Sequence, residues 1–358
     1  MGSKSFFATV AIALLLLLPL AGAQGRELSS YVGGEHYEHL EILGYRTVEQ
    51  FQALAYANPD MLCDELGINY GELDQILSGM PSVRYLEAVY PEEQPMGLLL
   101  EEEPMIINYE DLLYQQPYYT AGGVVDLMPY CPPIRDQVGR GTCAAFSGVA
   151  FLEYEYINYA GYNDLDLSEQ YFFYACKQRD GSPGSDGTTM TAVRDVVMYD
   201  GACLEATWPY NPYPTGDPAQ GPAPVGAAQE AKNFVYPDVE YYGGWFFKPS
   251  IDTLKASIES GHIISFGVPV YDSWYSSPEC RRTGEVTMPL SNDKLLGGHA
   301  MDLVGYVDDG SYPGGGYFLL RNSWGMDWAY ESVTGSPGYG TIPYAYIGNY
   351  WNGGFIAA

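Results

Sequence analysis

Cys143 stands where a loop turns into a helix, and a thiol in that place is suited to nucleophilic chemistry. Upstream, Cys131-Pro-Pro-Ile-Arg-Asp-Gln-Val-Gly-Arg-Gly-Thr142 carries two prolines that cannot join a sheet ladder or a helix interior, then two glycines. From Cys143 onward Ala144, Ala145, Phe146, Val149, Ala150, Phe151 and Leu152 run without a breaker to Gly161, with Thr142 suited to the N-cap. A cysteine in a first helical turn sits at the positive end of the macrodipole, so its thiol pKa is expected to fall. Gln137, across a Gly-rich turn, is placed to bring an amide donor beside the sulfur. A thiolate nucleophile and a donor for a developing oxyanion would follow.

A nucleophilic thiol needs a base, and the chain has four histidines. His36 and His39 lie in a polar tract, 24–41, that lacks the order of a zinc protease and reads as a solvated segment, so no metal is implied. His262 follows Gly261 at a helix end and reads as an exposed cap. His299 opens an apolar strand in Leu296-Gly-Gly-His-Ala-Met-Asp, where nothing polar nearby accounts for an imidazole except a buried structural role. An orienting acceptor for it is available in Arg321-Asn-Ser-Trp-Gly325: Asn322 ends the next strand, and Trp324 would cover the His–Asn hydrogen bond. Cys143, His299 and Asn322 fit a Cys–His–Asn system. No cofactor is implied.

The elements that must position these residues read as follows. Positions 1–23 carry Lys4, an apolar run and Ala21-Gly-Ala23, the pattern of a cleaved signal peptide; an uncleaved anchor is the rival reading. Export places the protein outside the cell or in its envelope, with no stable membrane association after cleavage. Residues 24–80 form a small module with three short helices over 44–80, begun by a Thr47/Gln50 capping box, by Asn58-Pro59 and by Asn69/Glu72. Residues 81–120 are a linker rich in Pro and Glu. From 121 to 358 one domain runs from helices (143–160, 168–176, 189–199, 251–260) to strands beginning at Ile263, Ala300, Tyr317 and Gly338. That order argues for an α+β fold in two halves with a cleft between them. The net charge of −29, from 45 acidic against 16 basic residues, excludes nucleic acid as a partner.

The landmarks Gln137…Cys143-Ala-Ala-Phe, Leu167-Ser-Glu-Gln, Gly298-His-Ala, Asn322-Ser-Trp-Gly and Gly338-Tyr-Gly, in that order, resemble those of papain-like cysteine peptidases, in their bacterial and archaeal form. The resemblance implies a helical half with the nucleophile and a β-barrel-like half with His299 and Asn322. It also implies Gln137 as oxyanion donor with the Cys143 backbone N–H. By the same resemblance Gly187 and Thr188 form the wall that holds extended substrate, with Gly298 and Trp324 also at the substrate. Arg140 and Ser185 stand where the family has one disulfide, and Cys176 matches another, with Cys203 as a possible partner. The 44–69 phrasing weakly resembles helix-hairpin-helix modules.

The expected activity is that of an exported cysteine endopeptidase acting on proteins or peptides through a Cys143 acyl-enzyme. The N-terminal segment is expected to be an intramolecular inhibitor, removed near 115–122. A cysteine transferase or isopeptidase on the same scaffold, and a non-catalytic surface-binding protein, are the alternatives.

Overall fold

The structure, a computed structural model, describes residues 25–83, 94–102, 104–107, 112, 123–244 and 247–358 of the 358-residue chain. The signal-peptide stretch, the expected processing site at 115–122 and most of the Pro/Glu linker therefore lie outside the described residues. Among the described residues no helix is long and apolar enough to cross a membrane.

The N-terminal module comprises α1 (Gly34–Ile42), α2 (Val48–Ala57), α3 (Pro59–Leu66) and α4 (Tyr70–Gly79). Both expected capping boxes form, at Thr47/Gln50 and at Asn69/Glu72, and Pro59 occupies the first turn of α3. The 24–41 tract is not solvated as the sequence implied. It holds α1 and buries Leu28, Val32 and Leu40, because three apolar side chains suffice to dock a polar stretch. His39 Nε2 pairs with Glu65 at 2.6 Å, and no group of metal-ligating side chains occurs among the described residues. The module rests on the β half: Met288 donates its N–H to Leu43 O, Arg46 pairs with Glu285 at 2.6 Å, and Glu65 accepts the Ser291 N–H.

The main domain opens with β1 (Val124–Asp126), followed by α5 (Cys143–Tyr159), α6 (Glu169–Lys177) and α7 (Met190–Asp195). A π turn carries α7 on to Asp200, and Gly201, at φ 71°, ends it in the left-handed region that favours glycine. Next come α8 (Ala227–Ala231), β2 (Val239–Tyr242), α9 (Ile251–Glu259) and β3 (Ile264–Tyr271). The chain continues through α10 (Asp272–Tyr275), α11 (Pro278–Thr283), β4 (Leu295–Asp308), β5 (Gly316–Arg321), β6 (Tyr339–Pro343), α12 (Tyr344–Tyr350) and β7 (Gly354–Ala357). The strands form one antiparallel sheet in the order β2-β7-β3-β4-β5-β6, with β1 added to β4. All eight residues of β3 are buried, which explains its near-continuous apolar run, since α5 and α9 both pack against it. The expected α+β division holds, with Cys143 at the head of α5 and His299 on β4.

Three local features depart from the sequence reading. Two short helices, α10 and α11, fall between β3 and β4, where the sequence reading placed no element. Strands β2 and β7 were not legible, being four residues each. Cys176 and Cys203 are not bonded; all six cysteines are free. Both are buried, and desolvation raises both thiols, Cys203 to about 12. Their segments are joined instead by backbone, through a Leu167–Leu204 bridge and the Ser168 N–H donated to Cys203 O.

Candidate active site

Cys143 is the first residue of α5, as its spacing implied, but Thr142 does not cap with its side chain. The Thr142 hydroxyl instead shares a 2.7 Å hydrogen bond with Tyr210 OH. The Cys143 sulfur is fully buried and accepts two backbone N–H groups, from Gly97 at 3.2 Å and Ala300 at 3.4 Å. Burial pushes the thiol up to about 11, with these N–H donors opposing it. The helix position alone implied a lowered pKa; exclusion of water outweighs the macrodipole here.

His299 is buried on β4 opposite Val268. Its Nε2 lies 2.7 Å from Asn322 Oδ1. That oxygen can only accept, so Nε2 carries the proton and Nδ1 keeps its lone pair. Nδ1 has no hydrogen-bond partner. Burial lowers the imidazole pKa to about 4, with the Asn322 hydrogen bond opposing. Asn322 follows the last residue of β5, where its N–H reaches Gly338 O at 3.2 Å, and its Oδ1 also accepts the Ser323 N–H. Trp324 stacks on the imidazole at 4.4 Å between ring centroids. It covers the His–Asn pair, as expected, and its assignment to substrate gains no contact from this stacking.

Gln137 joins the same cluster. Its Nε2 donates to Pro95 O at 2.7 Å and to Arg140 O at 2.9 Å, and its Oε1 accepts the Ser323 hydroxyl at 2.8 Å. Ser323 O in turn accepts the Gln137 N–H. Ser323 thus couples the amide of Gln137 to the loop that carries Asn322, a role that the sequence reading missed.

An extended peptide from the chain itself occupies this cluster. Leu98 pairs with Thr188 on one side and Gly298 on the other. The bonds are Leu98 N–H to Gly298 O, Leu99 N–H to Thr188 O and Thr188 N–H to Gly97 O. Thr188 and Gly298 therefore flank an extended stretch of the protein's own chain, and Gly187 adjoins it at φ 151° with the Gly97 carbonyl too close for a side chain. Sequence reasoning read 81–120 as a linker at the end of an expected inhibitory segment and did not place 94–100 at the thiol. The signal available was Gly97-Leu-Leu-Leu100, an apolar run inside a Glu-rich tract. Such a run needs a surface to cover it.

The wall loop before Thr188 is held by a buried ammonium. Lys177 Nζ donates to Asp180 at 2.8 Å, to Ser182 O and to Gly187 O, and neither charged side chain is more than 1% exposed. Lys177→Met would leave the Asp180 carboxylate buried without its cation. A loss of roughly 3–5 kcal/mol is expected, read as a fall in unfolding free energy by chemical denaturation. Unchanged stability would show that Lys177 does not hold the loop.

Residues 126–341 match the model of the papain family of cysteine proteases. An uncharacterized peptidase C1-like protein of Acanthamoeba polyphaga mimivirus is 27% identical over 217 residues, 59% of this chain and 64% of that one. Cathepsin J of Rattus norvegicus is 29% identical over 209 residues, 56% of this chain and 54% of that one. The matched part thus spans less than two thirds of these curated relatives. Among solved structures, xylellain, a cysteine protease from Xylella fastidiosa, is 26% identical with a TM-score of 0.56, covering 75% of this chain and 98% of that one. A proCathepsin B from Trypanosoma congolense shares the fold at 16% identity and a TM-score of 0.52, over 80% of this chain and 96% of that one. With a family model matched over more than half its length, and its Cys, His, Asn and Gln gathered in one cleft, the chain belongs to the papain family of cysteine proteases.

Proposed function

We propose that this chain is an exported cysteine endopeptidase held latent by its own residues 94–100. The observation that carries the reading is the gathering of Cys143, the His299–Asn322 pair and Gln137 around an extended peptide. With that peptide gone, the thiol proton passes to His299 Nδ1, whose lone pair is free, while Nε2–H stays on Asn322. The Cys143 thiolate forms a C–S bond with a peptide carbonyl carbon. Gln137 Nε2 and the Cys143 N–H hold the oxyanion, and the imidazolium gives its proton to the leaving amine. A water deprotonated by His299 then breaks the acyl-enzyme C–S bond.

Residues 94–100 are suited to inhibit. The Gly97 N–H points at the sulfur from 3.2 Å, a donor in the place where a substrate would present its carbonyl carbon. At the same time Pro95 O takes the donor of Gln137. Export rests on the character of residues 1–23, and latency agrees with a secreted enzyme that is switched on after leaving the cell.

The reading is tested by expressing the full chain with secretion, sequencing the N-terminus of the product and labelling it with a thiol-directed epoxide. The expected result is a shortened protein that is labelled at Cys143 and cleaves peptides, while Cys143→Ala neither takes the label nor cleaves. Peptide cleavage retained by Cys143→Ala would overturn the mechanism.

A further inference from the structure

The loop that carries Gln137 is strained and held from outside. Val138, a β-branched residue, sits at φ 52°, a left-handed conformation that persists only where its surroundings impose it. Two residues later Arg140 is 1% exposed, a rare place for a guanidinium. Its Nη1 donates to Gln170 Oε1 at 2.7 Å and to Asn211 O at 2.8 Å, and its Nη2 to Pro218 O at 3.0 Å. The guanidinium carbon lies 5.2 Å from the Tyr210 ring centroid and 5.4 Å from that of Phe173. Tyr210 OH donates to Gln137 O at 2.8 Å and meets the Thr142 hydroxyl at 2.7 Å. The Arg140 carbonyl accepts from Gln137 Nε2, the atom placed at the oxyanion.

We propose that Arg140 and Tyr210 are positioning residues for the oxyanion donor. They fasten the 137–143 loop to the Pro-rich 209–220 loop, and so fix where the Gln137 amide points. The guanidinium ties down the residue whose carbonyl aims Nε2, and the Tyr210 hydroxyl ties down the Gln137 backbone. Thr142, bonded to the same hydroxyl, carries that restraint to the start of α5. A donor helps only when aimed where the oxyanion forms, so slack here lowers turnover and leaves substrate binding at the Thr188 and Gly298 wall intact. This inference rests on the proposed role of Gln137 in catalysis.

The test is a double-mutant cycle on the full chain after activation, with active sites counted by epoxide titration. Gln137→Ala is expected to lower kcat roughly 10²-fold. Arg140→Met and Tyr210→Phe are each expected to lower kcat roughly tenfold with KM within about twofold, because neither touches substrate. In the Gln137→Ala background each should cost less than about twofold more, since both act through that side chain. Additive losses, or losses confined to KM, would overturn the positioning role and leave the Gln137 reading standing. No loss from Gln137→Ala would overturn both. Tyr210→Phe removes one oxygen from a ring whose stacking is kept, so the cycle can be completed if Arg140→Met does not fold.

Discussion

Gly97→Ala should turn the latent chain into one whose Cys143 is open to alkylation and which hydrolyses peptides without further processing. A Cβ on Gly97 would lie 1.9 Å from Gly141 O and 2.0 Å from Gly141 C. Both are backbone atoms of the loop before Cys143, which cannot retreat without disturbing Arg140 and Thr142. The peptide must therefore lift. Lifting breaks the Gly97 N–H bond to sulfur, the Gln137 bond to Pro95 O and the pairings of 97–99 with Thr188 and Gly298. Each bond contributes about 1 kcal/mol net. Loosening about three of them raises the open population roughly 10²-fold, at about 1.4 kcal/mol per tenfold. The measurement is the rate of carbamidomethylation at Cys143, followed by peptide mapping, beside hydrolysis of a fluorogenic peptide. Gly33→Ala is the control, because a Cβ there meets nothing within 4 Å. A Gly97→Ala chain as silent as its parent would show that 94–100 does not govern access to the thiol.

That prediction rests on a segment the sequence did not single out, while the catalytic cluster was legible. Cys143, His299, Asn322 and Gln137 each stand beside a turn, a strand start or a strand end that a reader can find, and their order is informative. Leu98 was hidden for the opposite reason. Glu92, Glu93 and Glu101 to Glu103 set the character of the tract, and three leucines at the end of the seven residues 94–100 have no periodicity that separates them from linker. Arg140 and Lys177 were invisible as structural residues because charged side chains ordinarily face water. The burial of Arg140 depends on acceptors far along the chain, such as Pro218 O, and that of Lys177 on a loop folding back over it to bring Asp180, Ser182 O and Gly187 O to the ammonium. The thiol pKa went astray likewise: the helix start is local and readable, whereas burial by a segment some forty residues upstream is not. Local chemistry is written in local sequence; what covers it is written elsewhere.

The second large effect concerns pH. With residues 94–100 in place, burial disfavours the imidazolium and lowers the His299 pKa to about 4, against 6.5 for the unperturbed group. Cys143, held near 11, stays protonated over the same range. A histidine with a lowered native pKa binds fewer protons when covered than when exposed. The covered form therefore has its full stability above about pH 6.5 and loses it as pH falls toward 4. At 1.36 kcal/mol per unit, that 2.5-unit gap amounts to about 3 kcal/mol. Uncovering the cleft restores water to the imidazole, so acid should favour lifting of 94–100 by roughly tenfold per unit through this window. Hydrogen exchange of the Leu98 and Leu99 amides reads the opening directly, in a Cys143→Ala background that prevents self-digestion. After correction for intrinsic rates, their protection is expected to fall roughly 40-fold between pH 6.5 and 4.5. Replacing His299 with glutamine in that background should flatten the dependence, because the titrating group is gone while a buried amide remains near Asn322. Protection that does not change with pH, or an equal slope with and without His299, would show that another group controls the cover. If the slope does vanish with His299, the base proposed for peptide cleavage also sets the acidity at which the cleft opens.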